Sequence, residues 1–190
     1  MKDLFINFFK YIKSVLVHKF WVCYYCFISG IYWRGIVHDI SKFSFTEMSE
    51  GIKYYKDNQS SVDLCRKDKG YSLAKLHHKG RNEYCPEYWM DVQEGKEVIV
   101  PMPYKCLVEF LCDILGKARQ YNDKEGSFSY KSLYSWWKDW SICNIKMDEA
   151  GKDMITHVLN YLAMGFRPVV ILNSKFLKRL YNKSKNRNAN

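Results

Sequence analysis

From Leu4 to Gly30 the chain reads LFINFFKYIKSVLVHKFWVCYYCFISG, with apolar or aromatic side chains on nearly every side of a helical projection. A helix of that kind is buried in a core or in a membrane. A membrane span needs about 20 mostly apolar residues. The best window, Ser14 to Trp33, carries His18 and Lys19 near its start, and no small-residue cleavage site follows. The expectation is therefore one or two core helices over residues 4–30, with no membrane span and a cytoplasmic location. Helical patterning continues over residues 33–43, 45–56, 72–80, 103–121 and 152–166, and Asp57-Asn58 reads as a turn. EVIVP, between Gly95 and Pro101, is the one strand-like run, and residues 123–151 read as a Ser- and Trp-rich connection containing WWKDW. With only four prolines and no linker-like stretch, an all-α helical bundle follows, as a single domain over residues 1–166 with a basic tail over 167–190.

Charge sets limits on partners. From Arg167 to the end there are seven Lys or Arg and no Asp or Glu, which leaves the body at +3 of the net +10. A nucleic-acid surface over the whole domain is thus weakly supported, and the tail reads as solvated and frayed. An apolar content of 47% excludes a disordered chain. Seven cysteines is an odd number in a chain long enough to need no staples, so reduced thiols are expected. Cys23 and Cys26 form an isolated CxxC in an apolar helix and read as buried structural thiols.

Three clusters carry candidate chemistry. In WRGIVHDISKF, on a helix, Trp33, Ile36, Val37, Ile40 and Phe43 form an apolar stripe, and Arg34, His38 and Lys42 share another face with Asp39 beside it. Imidazole and carboxylate suit one metal ion, with cations near an anionic substrate; a surface helix with a mixed polar face fits equally. In LHHKGRNEYCPEYW, His77 and His78 are adjacent and followed by Lys79, Arg81 and Asn82. Adjacent helical side chains diverge by about 100°, so this pair suits two ions, or one ligand and one substrate contact. In YKCLVEFLCDILGKARQY, Asp113 stands in an apolar setting, yet Lys105, Glu109, Asp113 and Lys117 also make an i, i+4 ladder of the kind found on exposed faces. His18 alone reads as a core histidine, and His157, with Asp153, Thr156 and Asn160, as surface.

Taken in order, His18, His38-Asp39, His77-His78 and Asp113 resemble the pattern of the HD superfamily of metal-dependent phosphohydrolases. The wording is closest to its HD-GYP branch: HDISK resembles HDIGK, LHHKGRNEY its HHE segment, and CDILGKARQY its late-Asp helix. Ser41 stands where that branch has Gly, Lys79 replaces the Glu after the His pair, and NEYCPE follows in place of GYP. The chain is also similar to small uncharacterised domains sharing WRG-x-x-HD-x-SKF and HHKGRN. The resemblance implies an HD-like bundle that hydrolyses a nucleotide or related phosphoester. It makes His18, His38, Asp39 and Asp113 ligands of a divalent ion (Mn, Fe, Co or Ni, with Mg a poorer match), and gives His77 and His78 to a second ion or the phosphate. Asp39 would also steer the attacking water. Lys42 and Arg34 would act on the phosphate, and Lys79, Arg81, Asn82 and Tyr88 would bind substrate, with Tyr84 and Trp89 as further flat surfaces. Two rivals remain: a non-catalytic module holding a nucleotide or partner protein, and a membrane-surface protein using the aromatic N-terminus and basic tail.

Overall fold

The computed structural model describes residues 2–57, 59–122 and 128–188. Asn58 of the expected Asp57-Asn58 turn lies outside them, as do residues 123–127 of the expected connection.

The molecule is built around two long helices packed side by side, α1 (Lys2–Ile28) and α6 (Tyr104–Asn122). Between them in sequence lie α2 (Tyr32–Val37), a 3-10 turn (Ile40–Phe43), α3 (Phe45–Lys53), α4 (Ser61–Lys69) and α5 (Leu73–Arg81). Next come a second 3-10 turn (Pro86–Trp89) and a hairpin of β1 (Met90–Gln93) and β2 (Lys96–Ile99). After α6 follow α7 (Tyr130–Trp136), a π-helical turn (Trp137–Ser141), α8 (Ile142–Asn144), α9 (Glu149–Ala163), α10 (Pro168–Ile171) and α11 (Ser174–Arg187). The all-α reading holds, with one small sheet among the described residues. Serine or aspartate N-caps start α3, α4, α5 and α9: the side chains of Ser44, Ser60, Ser72 and Asp148 each accept from the backbone N–H three residues on.

The helix buried on every side is α6, not α1. Every residue from Cys106 to Gly116 is buried, Glu109 and Asp113 included, so the exposed-ladder reading fails for these two carboxylates. α1 is two-sided. Tyr11, Val15, His18, Val22 and Cys26 face inward, whereas Phe5, Phe9, Phe20 and Phe27 are exposed. α1 is held by three close approaches. A Cβ on Gly35 would lie 2.7 Å from Cys26 Cβ, on Gly51 2.3 Å from Tyr11 Cε2, and on Gly116 2.5 Å from Val22 Cγ2. α2, α3 and α6 therefore each meet α1 through a glycine. The main core joins α1 and α6 to α7, α9 and α11, through Leu111, Leu115, Trp137, Ile155 and Leu177 among others.

Three further expectations change. EVIVP contributes β2, but its antiparallel partner β1 gave no clear signal; Glu94 and Gly95, both at positive φ, form the two-residue turn. The connection holds α7, the π turn and α8. The supposed tail continues the domain: Ile171, Leu172, Leu177 and Leu180 are buried, and α11 packs on α9. The apolar spacing within α11 outweighs its charge. Cys23 and Cys26 are free thiols, Cys26 buried and Cys23 partly so. Among the described residues no helix is long and apolar enough to cross a membrane.

Candidate metal centre

The expected helix over residues 33–43 breaks where the chemistry lies. α2 ends at Val37, His38 leaves the helix at φ −50° and ψ 133°, and Asp39 adopts the left-handed conformation at φ 57° before the 3-10 turn begins. Aspartate tolerates this region better than most residues, through local hydrogen bonding of its short side chain. A continuous helix would splay His38 and Asp39 by about 100°. The break instead buries both almost completely and leaves Trp33, Ile36 and Ile40 of the supposed apolar stripe exposed. It also brings Lys42 back over Asp39, with Nζ 2.7 Å from Oδ2.

Four side chains from three segments meet there. His18 Nε2 of α1 lies 3.0 Å from Asp113 Oδ1 of α6 and 3.4 Å from Asp39 Oδ2. His38 Nε2 lies 3.6 Å from both Asp39 Oδ1 and Asp113 Oδ1. Donor atoms of His18, His38 and Asp39 all fall within 4.8 Å of one another. His18 Nε2, His38 Nε2, Asp39 Oδ2 and Asp113 Oδ1 are buried and make no well-aligned hydrogen bond, although Lys42 pairs with Asp39 Oδ2 and His18 Nε2 lies close to Asp113 Oδ1. Buried polar atoms are ordinarily paired, and an orphan costs about 1–3 kcal/mol. Two imidazole nitrogens and two carboxylate oxygens gathered this closely form a donor set that could hold a metal ion.

The surrounding shell fixes these donors. His38 Nδ1 lies 3.0 Å from Glu109 Oε1, and Glu109 Oε2 accepts from Arg34 at 2.7 Å. A carboxylate behind an imidazole turns its other nitrogen toward the cage. Arg34 also binds Glu83 and does not line the cavity, so the expected phosphate contact is replaced by a supporting one. Tyr84 donates its hydroxyl to Asp39 Oδ1 and lies 2.7 Å from His78 Nε2. Glu47 lies between the two neighbouring histidines, 2.8 Å from His77 Nδ1 and 2.9 Å from His78 Nδ1. On the far side, Lys117 donates to Asp113 Oδ2 at 2.6 Å.

Electrostatics match this arrangement. Burial pushes His18 down to about 4. Burial also opposes charge on His38, but the Asp39, Asp113 and Glu109 carboxylates outweigh it and raise the ring to about 9. For Asp39, burial is overcome by Lys42 and the histidines, which hold the carboxyl well below its usual range; for Asp113, Lys117 and the histidines do the same. Burial would likewise raise Glu47, but His78 and His77 hold it low.

A cavity of about 790 Å³ opens onto the centre. His18, Asp113, Lys42, Lys117, His78 and Tyr84 line its inner part, and Tyr121 and Trp140 also contribute to its wall. Trp140 comes from the π turn, and its ring stacks on Trp136 at 6.1 Å. Four expected substrate residues are not among the lining. Lys79, Arg81 and Tyr88 lie elsewhere on the surface or at its edge, and Asn82 ends α5, its side chain donating to His78 O and Ser41 Oγ. His77, held by Glu47, is also outside the cavity. Lys79 stands about 100° round α5 from His78, and Arg81, one turn beyond His78, is exposed at the end of the helix. Glu47, Glu109 and Lys117 join the site although the sequence marked them for other roles or none.

Comparison with curated proteins gives no match, and neither does comparison with solved structures. A family model does match residues 7–163, a stretch that contains every side chain of the centre. The chain belongs to the DUF5662 family of unknown function.

Proposed function

We propose that the protein is a metal-dependent phosphohydrolase acting on a nucleotide or related phosphoester. The observation that carries this reading is the buried cluster of His18, His38, Asp39 and Asp113, of which His18 and Asp113 line the adjoining cavity. These four hold the ion, and imidazole with carboxylate suits Mn, Fe, Co or Ni better than Mg. A divalent ion in such a site supplies Lewis-acid polarisation of a phosphoryl oxygen and an acidified water. Lys42 and Lys117, beside the two aspartates and facing the cavity, offset phosphate charge as it develops. Tyr84 and His78 orient Asp39 from the cavity side. Trp140 and Tyr121 offer flat surfaces to a base. Glu47 takes up both His77 and His78, which favours one ion over two.

The test is metal analysis of the purified protein followed by turnover of a phosphoester panel with Mn added. Asp39→Asn keeps the shape and the tolerated backbone conformation but removes charge. It should lower turnover on the order of 10²–10³-fold, while His157→Ala, half-exposed on α9, changes little. A protein that binds no divalent ion loses the reading entirely. One that binds metal yet turns over no ester is instead a sequestering module.

A further inference from the structure

The outer face of α1 is an apolar stripe, interrupted by Lys13, that no described part of the protein covers. Phe5, Phe9, Leu16, Phe20, Tyr24 and Phe27 are all exposed and, at about 100° per residue, fall within an arc of about 100°. At the end of α1 the stripe passes to α2, where the Phe27 and Tyr32 rings meet at 5.2 Å and Trp33 is 72% exposed. The seven rings among these residues are 45–72% exposed. At about 150–250 Å² each, they present on the order of 800 Å². The largest apolar patch on a typical monomer is about 300–600 Å².

Charge identifies what covers it. Between Leu4 and His38 there are four Lys or Arg and no acidic residue, and none occurs from Arg167 to the end. These two acid-free segments touch at the corner after α1, where a Cβ on Gly30 would lie 3.4 Å from Ser174 Cβ at the start of α11. There the exposed Val169 and Val170 share a shallow groove with Lys175 and Arg179. Two of those four cations are paired with acids from elsewhere, Lys10 with Asp57 and Arg34 with Glu83 and Glu109; exposed Lys13, Lys175 and Arg179 remain beside the aromatic rings, a combination that suits the interface of an anionic bilayer. A second copy of the chain would instead bring together two faces that each carry exposed Lys13, Lys175 and Arg179. Since no described helix can cross a membrane, the stripe lies on the surface.

We infer that α1, α2 and the start of α11 form a docking face for an anionic lipid bilayer, independent of whether the metal centre is catalytic. The experiment is co-sedimentation of the full chain with phosphatidylcholine vesicles, with and without phosphatidylserine. Binding is expected with phosphatidylserine, weakening as salt rises. Phe20→Ser with Trp33→Ser should reduce it at least about tenfold. Both side chains point outward, so circular dichroism and metal content should stay unchanged. A second variant, Lys175→Glu with Arg179→Glu, alters only exposed charges and should also weaken binding. Absence of binding to phosphatidylserine vesicles overturns the inference, as does binding that ignores both variants. So does a lipid-free dimer that Phe20→Ser with Trp33→Ser turns into a monomer, because a second copy would then be the occupant.

Discussion

At the scale of single residues, the proposed centre sets an ion against a proton. His38 is raised to about 9 by the carboxylates around it, so near neutral pH the metal-free ring carries a proton that an ion must displace. Apparent metal affinity should therefore rise about tenfold per pH unit between 7 and 9 and flatten above. Calorimetry in buffers of different ionisation enthalpy should register about one proton released; a pH-independent affinity would contradict the assignment. Glu109→Gln keeps the shape behind His38 but weakens its support, and should lower metal affinity about 10–100-fold, read by competition with a metallochromic dye. The sequence displayed His38, Asp39 and Asp113 because resemblance singled them out. It hid Glu109 and Lys117 because an i, i+4 ladder looks the same whether a helix face meets solvent or a cavity. Glu47 was hidden differently. It stands three residues after Ser44, the spacing of an ordinary helix start, and Ser44 does cap its N–H. Its carboxylate goes to His77 and His78, which only the fold brings near.

At the scale of elements, periodicity located the long helices but not their surroundings. α1 and α6 were both legible as helices, yet which is enclosed depends on neighbours far along the chain. α11 shows the limit of charge as a guide: Leu177, Leu180 and Ser184 at i, i+3 and i+7 define a buried edge within a strongly basic segment. The break at His38-Asp39 was illegible because each residue there is acceptable in a helix. The glycines offer a test of this level. Gly116→Ala sets a methyl 2.5 Å from Val22 Cγ2 and 3.2 Å from Val22 N, so α1 and α6 must part. A loss of about 1–3 kcal/mol is expected, measured by urea denaturation, with weaker metal binding because His18 and Asp113 sit on the two separated helices. Gly80→Ala, with open space around its Cβ, is the control and should be neutral or mildly stabilising.

For the molecule as a whole, the main core is apolar and meets the candidate centre through Tyr84, so most of its packing needs no ion. Chelation should therefore leave circular dichroism nearly unchanged, unlike a domain folded by its metal. Saturating Mn at about 100 times its Kd should add about 2.7 kcal/mol, seen as a higher Tm; no shift would place the ion elsewhere or nowhere. The two-sidedness of α1 has a directional consequence. Tyr11, Ser14, Val15 and His18 line the cavity, and at about 100° per residue they lie about half a turn from the aromatic stripe. A chain resting on a bilayer by that stripe holds the cavity on the far side of α1 from the lipid, with a helix about 10 Å thick between the two. Its substrate then arrives from the water, and a phosphate still anchored in the leaflet cannot reach the ion. Hydrolysis of a small soluble ester should proceed equally with and without vesicles, and a long-chain lipid phosphate embedded in them should be left intact.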